Sequence, residues 1–190
     1  MRPLTDEEFE VFFRKLQKYI GENIKFLLDS ERSGGQHVFR IVRNKVYYLS
    51  SAVLKQCSIF SKDQLLHTGT LLGQFSKKKK FRLAVTSLGV LAKYASSKVW
   101  LKTSGEQNYL YGNHALKAHV ARVSDNGSKH GGVIVMSLSD VPLGFGVLCK
   151  GALEFKMTDP TTILVINQAD LGEYLRVEGD VIKNQGENKN

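Results

Sequence analysis

The sequence predicts an α+β domain with an antiparallel sheet over residues 1–94, a small β-barrel over residues 95–178 and a tail over residues 179–190. Three observations support this division. Helical and strand patterns are interspersed in the first half, whereas short strands with Gly and Pro turns fill the second half. Residues 95–97 form a small polar linker between the two. The tail is too polar to bury a core, so we expect it to be disordered.

The first domain opens with a helix. Thr5-Asp6-Glu7-Glu8 is a capping box with Thr5 as the N-cap, and Gly21 is placed to end the helix. We interpret the three phenylalanines of this helix as core residues rather than as a cofactor-binding box. Apolar residues recur at helical spacing at Phe9, Phe12, Phe13, Leu16, Tyr19 and Ile20.

Strands and two further helices complete this domain. Ser50 or Ser51 is expected to cap a helix that runs to Ile59, and Thr86 or Ser87 to cap a shorter one. The second and third strands form one hairpin, and the fourth and fifth form another. The five strands are predicted over residues 24–28, 37–42, 46–49, 70–75 and 81–85.

The second domain reads as a succession of short strands. A strand over residues 99–101 precedes a short helix that begins near Ser104 and ends near Gly112. Its glycines fall where a tightly turned barrel needs positive φ or close backbone approach. Further strands are predicted over residues 118–123, 133–136, 145–149, 163–166 and 174–177.

The net charge of +9 is unevenly distributed. Residues 1–94 hold 17 Lys and Arg against 8 Asp and Glu, whereas residues 95–190 hold ten of each. Such an excess indicates either attraction to phosphates or solubility alone. The run of Lys77, Lys78, Lys79 and Lys80 fits a phosphate contact, a nuclear import signal or a solvated hairpin tip, and the sequence leaves these open.

Several classes of protein are not expected. No apolar run approaches the roughly 20 residues that a membrane helix needs, and the N-terminus lacks a signal-peptide core. Cys57 and Cys149 lie far apart and are interpreted as buried thiols. Phosphate-binding, dinucleotide-binding and nucleophile-elbow motifs are absent from the sequence. We therefore expect no enzyme, no cofactor and no metal site.

The second domain resembles a PUA domain. The first domain contributes Met1-Arg2-Pro3-Leu4-Thr5 and Tyr19-Ile20-Gly21-Glu22-Asn23 to the resemblance. Together the two domains resemble the eukaryotic Nip7 family of large-subunit (60S) ribosome biogenesis factors over roughly residues 1–177. Residues 29–35 and those after Glu178 depart from the family pattern. The matching stretches of the second domain are Lys98-Val99-Trp100-Leu101, Gly105-Glu106-Gln107, Leu110-Tyr111-Gly112-Asn113-His114-Ala115-Leu116-Lys117, Pro142-Leu143-Gly144-Phe145-Gly146-Val147 and Gln168-Ala169-Asp170-Leu171-Gly172-Glu173-Tyr174-Leu175-Arg176.

The resemblance implies a nuclear, nucleolar protein that joins pre-60S particles and supports pre-rRNA processing. It implies that pre-rRNA is bound through the barrel and that other assembly factors contact the first domain. We expect no membrane partner and a monomer outside the particle. The alternatives are an adaptor within pre-60S particles that has weak RNA affinity of its own, and an RNA-modifying enzyme.

The helix and following strand of a PUA barrel form its usual RNA face, so the family implies RNA contacts by Asn113, His114 and Lys117. Arg122 and Arg176 have the planar fork that clamps phosphates. Lys98, Lys102, Lys150 and Lys156 are candidates by charge alone.

Each candidate also has a purely structural interpretation. Asn113 could be the left-handed residue of a turn, His114 a half-buried barrel residue, and Arg122 a partner of Asp125. We interpret Trp100 as a packing residue, and Asp170 as a turn or cap residue that orients the last strand.

Overall fold

The computed structural model describes residues 1–28, 35–57, 59–60 and 68–177, and the chain divides into two compact units between Ser96 and Ser97. This division lies two residues beyond the predicted domain boundary. The predicted tail over residues 179–190 lies outside the described residues. No helix among the described residues is long and apolar enough to cross a membrane.

Helix α1 (Asp6–Ile20) begins at the predicted capping box. The Glu8 N–H donates to Thr5 Oγ1 over 3.3 Å, and the Thr5 N–H donates to the Glu8 carboxylate over 3.0 Å. Arg2 donates two further hydrogen bonds to the same carboxylate, over 2.7 and 2.8 Å. Gly21 ends the helix with φ +61°. Both predicted ends of α1 are confirmed.

The apolar face of α1 packs on a four-stranded antiparallel sheet. The sheet contains β1 (His37–Val42), β2 (Lys45–Ser50), β3 (Thr70–Phe75) and β4 (Phe81–Leu83) in that order. The Phe12 ring meets Phe39 and Phe81 edge-on, with centroids 4.9 and 5.2 Å apart. Phe9, in contrast, is 38% exposed, so its predicted core position is wrong. It lies at the margin of the apolar face, against Phe13.

The first hairpin turn follows from its sequence. Arg43 and Asn44 have φ of +48° and +66°, the conformation of a two-residue turn whose twist matches that of the flanking strands. In the second turn, Lys79 has φ +56°, and the Lys79 N–H donates to the Ser76 carbonyl over 2.9 Å. The side chains of Lys77, Lys78, Lys79 and Lys80 are all exposed on this turn.

Two strand predictions in this unit need correction. Residues 24–28 form helix α2 (Ile24–Leu28) rather than a strand, because the turn Gly21–Asn23 continues directly into it and a short apolar run fits either state. The predicted strand over residues 81–85 ends at Leu83 and is followed by a 3₁₀ turn. Thr86 and Ser87 donate their hydroxyl protons to the Leu71 and Ala84 carbonyls.

The two remaining helices of this unit are short. Ser50 Oγ accepts the Val53 N–H over 3.3 Å and caps α3 (Ser51–Cys57), which ends two residues before the predicted Ile59. Ser87 stands at the predicted N-cap position of helix α4 (Leu88–Tyr94), but its side chain makes no cap hydrogen bond and donates to the Ala84 carbonyl instead.

The second unit is a near-closed barrel of six strands. Their order in the sheet is β6-β10-β9-β8-β5-β7, and all pairs are antiparallel except β5 with β8. The two edge strands, β6 and β7, are separated by only Lys117–His119, which can span at most about 14 Å. The sheet must therefore curl until its edges come close. The elements are β5 (Lys98–Leu101), α5 (Thr103–Leu110), β6 (Ala115–Leu116), β7 (Val120–Val123), β8 (Gly132–Met136), β9 (Pro142–Leu148) and β10 (Ile163–Asp170).

The predicted α+β and barrel classes are confirmed, with local differences in the barrel. Residues 174–177 belong to a helical segment over residues 172–177 and not to a strand. Residues 117–119 form a 3₁₀ turn, so the strand predicted from residue 118 begins at Val120. Cys57 and Cys149 are free thiols but half-buried rather than buried.

The capping box generates a prediction about pH. Hydrogen bonds from Arg2 lower the pKa of Glu8 to about 2. A carboxyl whose pKa is lowered on folding stabilises the fold above its unfolded pKa of about 4.3 and loses that effect as the pH falls toward 2. Since Glu8 is partly exposed, we expect Glu8→Gln to lower the free energy of unfolding by about 0.5–1 kcal/mol at pH 7.

Urea denaturation at pH 7, 5 and 3 measures this difference. It should be constant between pH 7 and 5 and shrink by pH 3. The matched control is Glu10→Gln, because Glu10 pairs with Arg14 in solvent and should contribute little at any pH. An equal effect of Glu8→Gln at all three pH values would contradict the argument.

Candidate nucleic-acid interface

Asn167 on β10 joins the last strand to the end of helix α5. Its Nδ2 donates to the carbonyls of Tyr109 and Asn113 over 3.3 and 3.4 Å, and to Asp170 Oδ2 over 2.9 Å. Its backbone N–H donates to Nδ1 of His114 over 3.3 Å. Because Nδ1 accepts this bond, the proton of neutral His114 resides on Nε2. The exposed His114 side chain therefore presents an N–H donor on a fixed ring.

The turn before His114 takes its shape from glycine. Gly112 has φ +91°, whereas Asn113 has no positive φ. The alternative that Asn113 is the left-handed turn residue is therefore wrong. The exposed Asn113 side chain donates from Nδ2 to Asn108 Oδ1 over 2.6 Å. Its own Oδ1 is left as an acceptor at the surface.

Arg176 holds the helical segment 172–177 against this turn. Its Nη2 atom donates to both Asp170 carboxylate oxygens, over 2.9 and 3.0 Å. Its Nη1 atom donates to the Leu110 carbonyl at the end of α5 over 2.5 Å. The Asp170 side chain is only 3% exposed. The Arg176 guanidinium thus compensates a buried carboxylate, a different role from the predicted phosphate clamp. Asp170 thereby ties the end of β10 to the segment 172–177, in keeping with its interpretation as a residue that orients the last strand.

A second group of predicted residues surrounds the turn Lys117–His119. The Lys117 amine lies 4.1 Å from the centroid of the Phe155 ring, and Lys102 Nζ donates to the Ala118 carbonyl over 3.1 Å. Lys156 is exposed on the 3₁₀ turn that also contains Phe155. Lys150 makes only a long surface ion pair with Glu154, at 3.9 Å.

Arg122 and Lys98 lie at the β5–β7 edge of the sheet. The Arg122 guanidinium carbon lies 3.7 Å from the centroid of the Trp100 ring, and the two residues are paired across the strands. Trp100 Nε1 donates to Asp140 over 2.6 Å. Arg122 therefore stacks on Trp100 rather than pairing with Asp125. Lys98 is two residues from Trp100 on β5, so its side chain shares that face of the strand.

Comparisons with known proteins identify the family. Residues 1–85 match the NIP7/UPF0113 pre-PUA domain, and residues 97–179 match the UPF0113 PUA domain. The chain is 50% identical over 178 residues to the 60S ribosome subunit biogenesis protein NIP7 homolog of Danio rerio, and 47% identical to 60S ribosome subunit biogenesis protein nip7 of Schizosaccharomyces pombe. Each match covers 94% of this chain and 98% of the relative.

The chain belongs to the NIP7 family.

Solved structures agree on the fold of this NIP7-family chain. A PUA domain from Aeropyrum pernix is 12% identical, with a TM-score of 0.57 over 90% of this chain and 85% of that one. A PUA domain protein from Thermoplasma acidophilum is 13% identical, with a TM-score of 0.53 over 90% and 93%. At these identities the likeness shows the fold alone, and it confirms the predicted PUA architecture.

The structure brings Asn113, His114 and Arg176 together, and it places Lys117 and Arg122 in separate contacts. The residue that sequence reasoning missed is Asn167, which joins the first group. No signal in the sequence indicated it, because the predicted strand ended at residue 166, whereas the observed strand Ile163–Asp170 includes Asn167. The described residues contain no cluster of three or more His, Cys, Asp or Glu that could hold a metal ion.

The contacts of Arg176 predict a large effect on stability. Arg176→Met leaves the Asp170 carboxylate buried and unpaired, so we expect a loss of about 2–4 kcal/mol in the free energy of unfolding. Asp170→Asn should cost less, because the guanidinium is 42% exposed and can be solvated. The double variant should be more stable than the two single losses predict, by at least about 1 kcal/mol.

Urea denaturation of the four proteins in this cycle provides the measurement. The matched control is the exposed pair Lys150 and Glu154, where Lys150→Met and Glu154→Gln should each cost under about 0.5 kcal/mol. Additive losses at Asp170 and Arg176 would show that the pair does not hold the segment 172–177 in place.

Proposed function

We propose that this chain is a non-catalytic RNA-binding assembly factor of the large ribosomal subunit, which supports pre-rRNA processing in the nucleolus. The observation that carries the proposal is the barrel end where Asn167 fixes His114 and the turn around Asn113. An exposed ring N–H and an exposed amide oxygen are groups that read the edges of unpaired bases. They lie on a rigid scaffold, so little side-chain entropy is lost on binding.

Cations elsewhere on the barrel, at the turn Lys117–His119 and at the β5–β7 edge, would bind phosphates. Lys117 follows His114 by three residues, and its amine is held over the Phe155 ring. Lys102 and Lys156 are exposed near the turn Lys117–His119. Arg122, stacked on Trp100, retains its outer face and its N–H donors for a phosphate. These residues would hold the RNA backbone, while Asn113 and His114 would contact bases. Arg176 would position the turn rather than bind RNA.

The partners we propose are pre-rRNA and other pre-60S assembly factors, the latter bound through the first unit. Outside the particle the protein would be a monomer located in the nucleus. The names of the relatives support the 60S context, since they are 60S ribosome subunit biogenesis proteins.

A protein-interaction adaptor is the second candidate, and two observations favour it. Residues 95–190 carry equal numbers of acidic and basic residues, so this half alone gains little from counterion release. A groove of about 610 Å³ also lies between α5 and the segment 172–177, where Tyr111 and Leu175 are largely exposed. Such an apolar surface is typical of protein contacts.

Binding of a uridine-rich oligonucleotide, measured by fluorescence anisotropy across a salt series, separates the two functions. We expect Lys117→Ala with Arg122→Ala to cost about 1–3 kcal/mol at every salt concentration, because both side chains would make charge-assisted contacts. His114→Ala should weaken binding with an unchanged salt slope, since His114 would contact a base rather than a phosphate.

Lys129→Ala is the control, since the Lys129 side chain is exposed in the same unit. Its loss should be small and confined to low salt. If the Lys117 and Arg122 double variant matches wild type throughout, this barrel surface does not bind RNA. If wild type itself fails to bind at low salt, the adaptor function is favoured.

A further inference from the structure

A basic groove lies on the first unit, between α1 and the β3–β4 turn. Its volume is about 430 Å³, and its floor is formed by Val11 and Phe81. Among the described residues of this unit, no carboxylate lines it. Five cations form its walls, three from α1 and two from the turn: Arg14, Lys15, Lys18, Lys79 and Lys80.

The cations of the groove have little internal compensation. Arg14 pairs with Glu10, and Lys79 with Glu7 at 3.5 Å, but all four side chains are more than 70% exposed, so both pairs are weak in water. Among the described residues, no acidic side chain pairs with Lys15, Lys18 or Lys80. Burial, followed by the charge of Lys18, lowers the pKa of Lys15. An anion in the groove would relieve this repulsion.

The groove is held in shape by its backbone. The Ser76 N–H donates to the Lys80 carbonyl over 2.9 Å, and the Lys80 N–H returns a bond to Ser76 Oγ over 3.2 Å. The turn therefore presents Lys79 and Lys80 from a closed, hydrogen-bonded loop. On the opposite wall, Arg14 and Lys18 are one helical turn apart, about 6 Å along the axis.

This arrangement fits a chain of evenly spaced anions better than one phosphate ion. Cations on two facing walls can contact successive groups of a strand, and the planar fork of Arg14 can grip a phosphate in two places. The apolar floor suits a ribose or a base more than a second charge. We propose that this groove binds the phosphate backbone of single-stranded RNA, as a contact separate from the barrel surface. The choice of RNA as the polyanion rests on the proposed function.

The test compares two charge-matched variants of the full chain. The groove variant is Arg14→Gln, Lys18→Gln and Lys80→Gln, which spares the half-buried Lys15. The control variant is Lys25→Gln, Lys55→Gln and Lys93→Gln, three exposed cations of the same unit that do not line the groove. Both variants lose three charges, so a difference between them reports local contact rather than net charge. Thermal unfolding should show similar melting temperatures for both.

Binding of a 30-nucleotide oligouridine is measured by anisotropy from 50 to 400 mM salt. We expect the groove variant to weaken binding about 10-fold at 100 mM salt. Its negative slope of log K against log salt should become shallower by about two. Each phosphate contact contributes about 0.7 for a single strand, and the variant removes three cations. The control should lose less than about 2-fold. Photo-crosslinking with 4-thiouridine should map to peptides that contain Val11–Lys18 or Lys79–Phe81.

Equal losses of RNA affinity in the groove variant and the control variant would overturn the proposal that the groove binds RNA. If the losses are equal while the Lys117 and Arg122 double variant still loses affinity, the groove does not bind RNA and the proposed function stands. If the groove variant loses affinity but the Lys117 and Arg122 double variant does not, the groove binds RNA and the barrel surface does not. The last measurement is the binding of a 20-residue polyglutamate to the wild type and to the groove variant. If it binds wild type as tightly as RNA does and loses the same affinity in the groove variant, the commitment to RNA is wrong.

Discussion

The second unit depends on the compensation of one buried carboxylate. Asp170 ends β10 with a side chain that is 3% exposed, and a charge in that position must be paired to be tolerated. Arg176 and Asn167 both donate to it, and each also bonds a carbonyl near the end of α5. One charge thus joins the last strand, the segment 172–177 and the helix. The positions of Asn113 and His114 follow from that junction.

Close backbone approach explains the glycines around this junction. A Cβ on Gly172 would overlap the Leu110 carbonyl oxygen, and one on Gly144 would overlap the backbone of Ala169 and Asp170. A side chain at Gly172 would separate the segment 172–177 from α5, and one at Gly144 would separate β9 from β10. The sequence predicts that glycines serve turns and close contacts, but only the fold shows which backbone approaches each one. At Gly112 the reason is different, because φ there is positive.

The sequence was sufficient wherever one local interaction decides the structure. The capping box, the Arg43-Asn44 turn and the buried strand Gly132–Met136 all follow from neighbouring residues. It failed for residues 24–28 and 174–177, where a short segment with one cation among apolar residues fits a helix or a strand and only tertiary partners decide. The site shows the same limit. His114 and Asn113 were predicted, but the role of Arg176 depends on Asp170 and Leu110, whose proximity the sequence does not reveal.

The two units differ in how their cations are engaged, so long-range attraction of RNA and close contact with RNA would arise from different units. In the second unit several cations are already engaged, with Asp170, with Glu154 or on the rings of Phe155 and Trp100. Their field beyond the Debye length of about 8 Å is weak, so they act at contact distance. The first unit holds the whole positive excess, and its groove cations have few partners. Long-range attraction should therefore originate there, while the barrel supplies directional bonds that salt screens less.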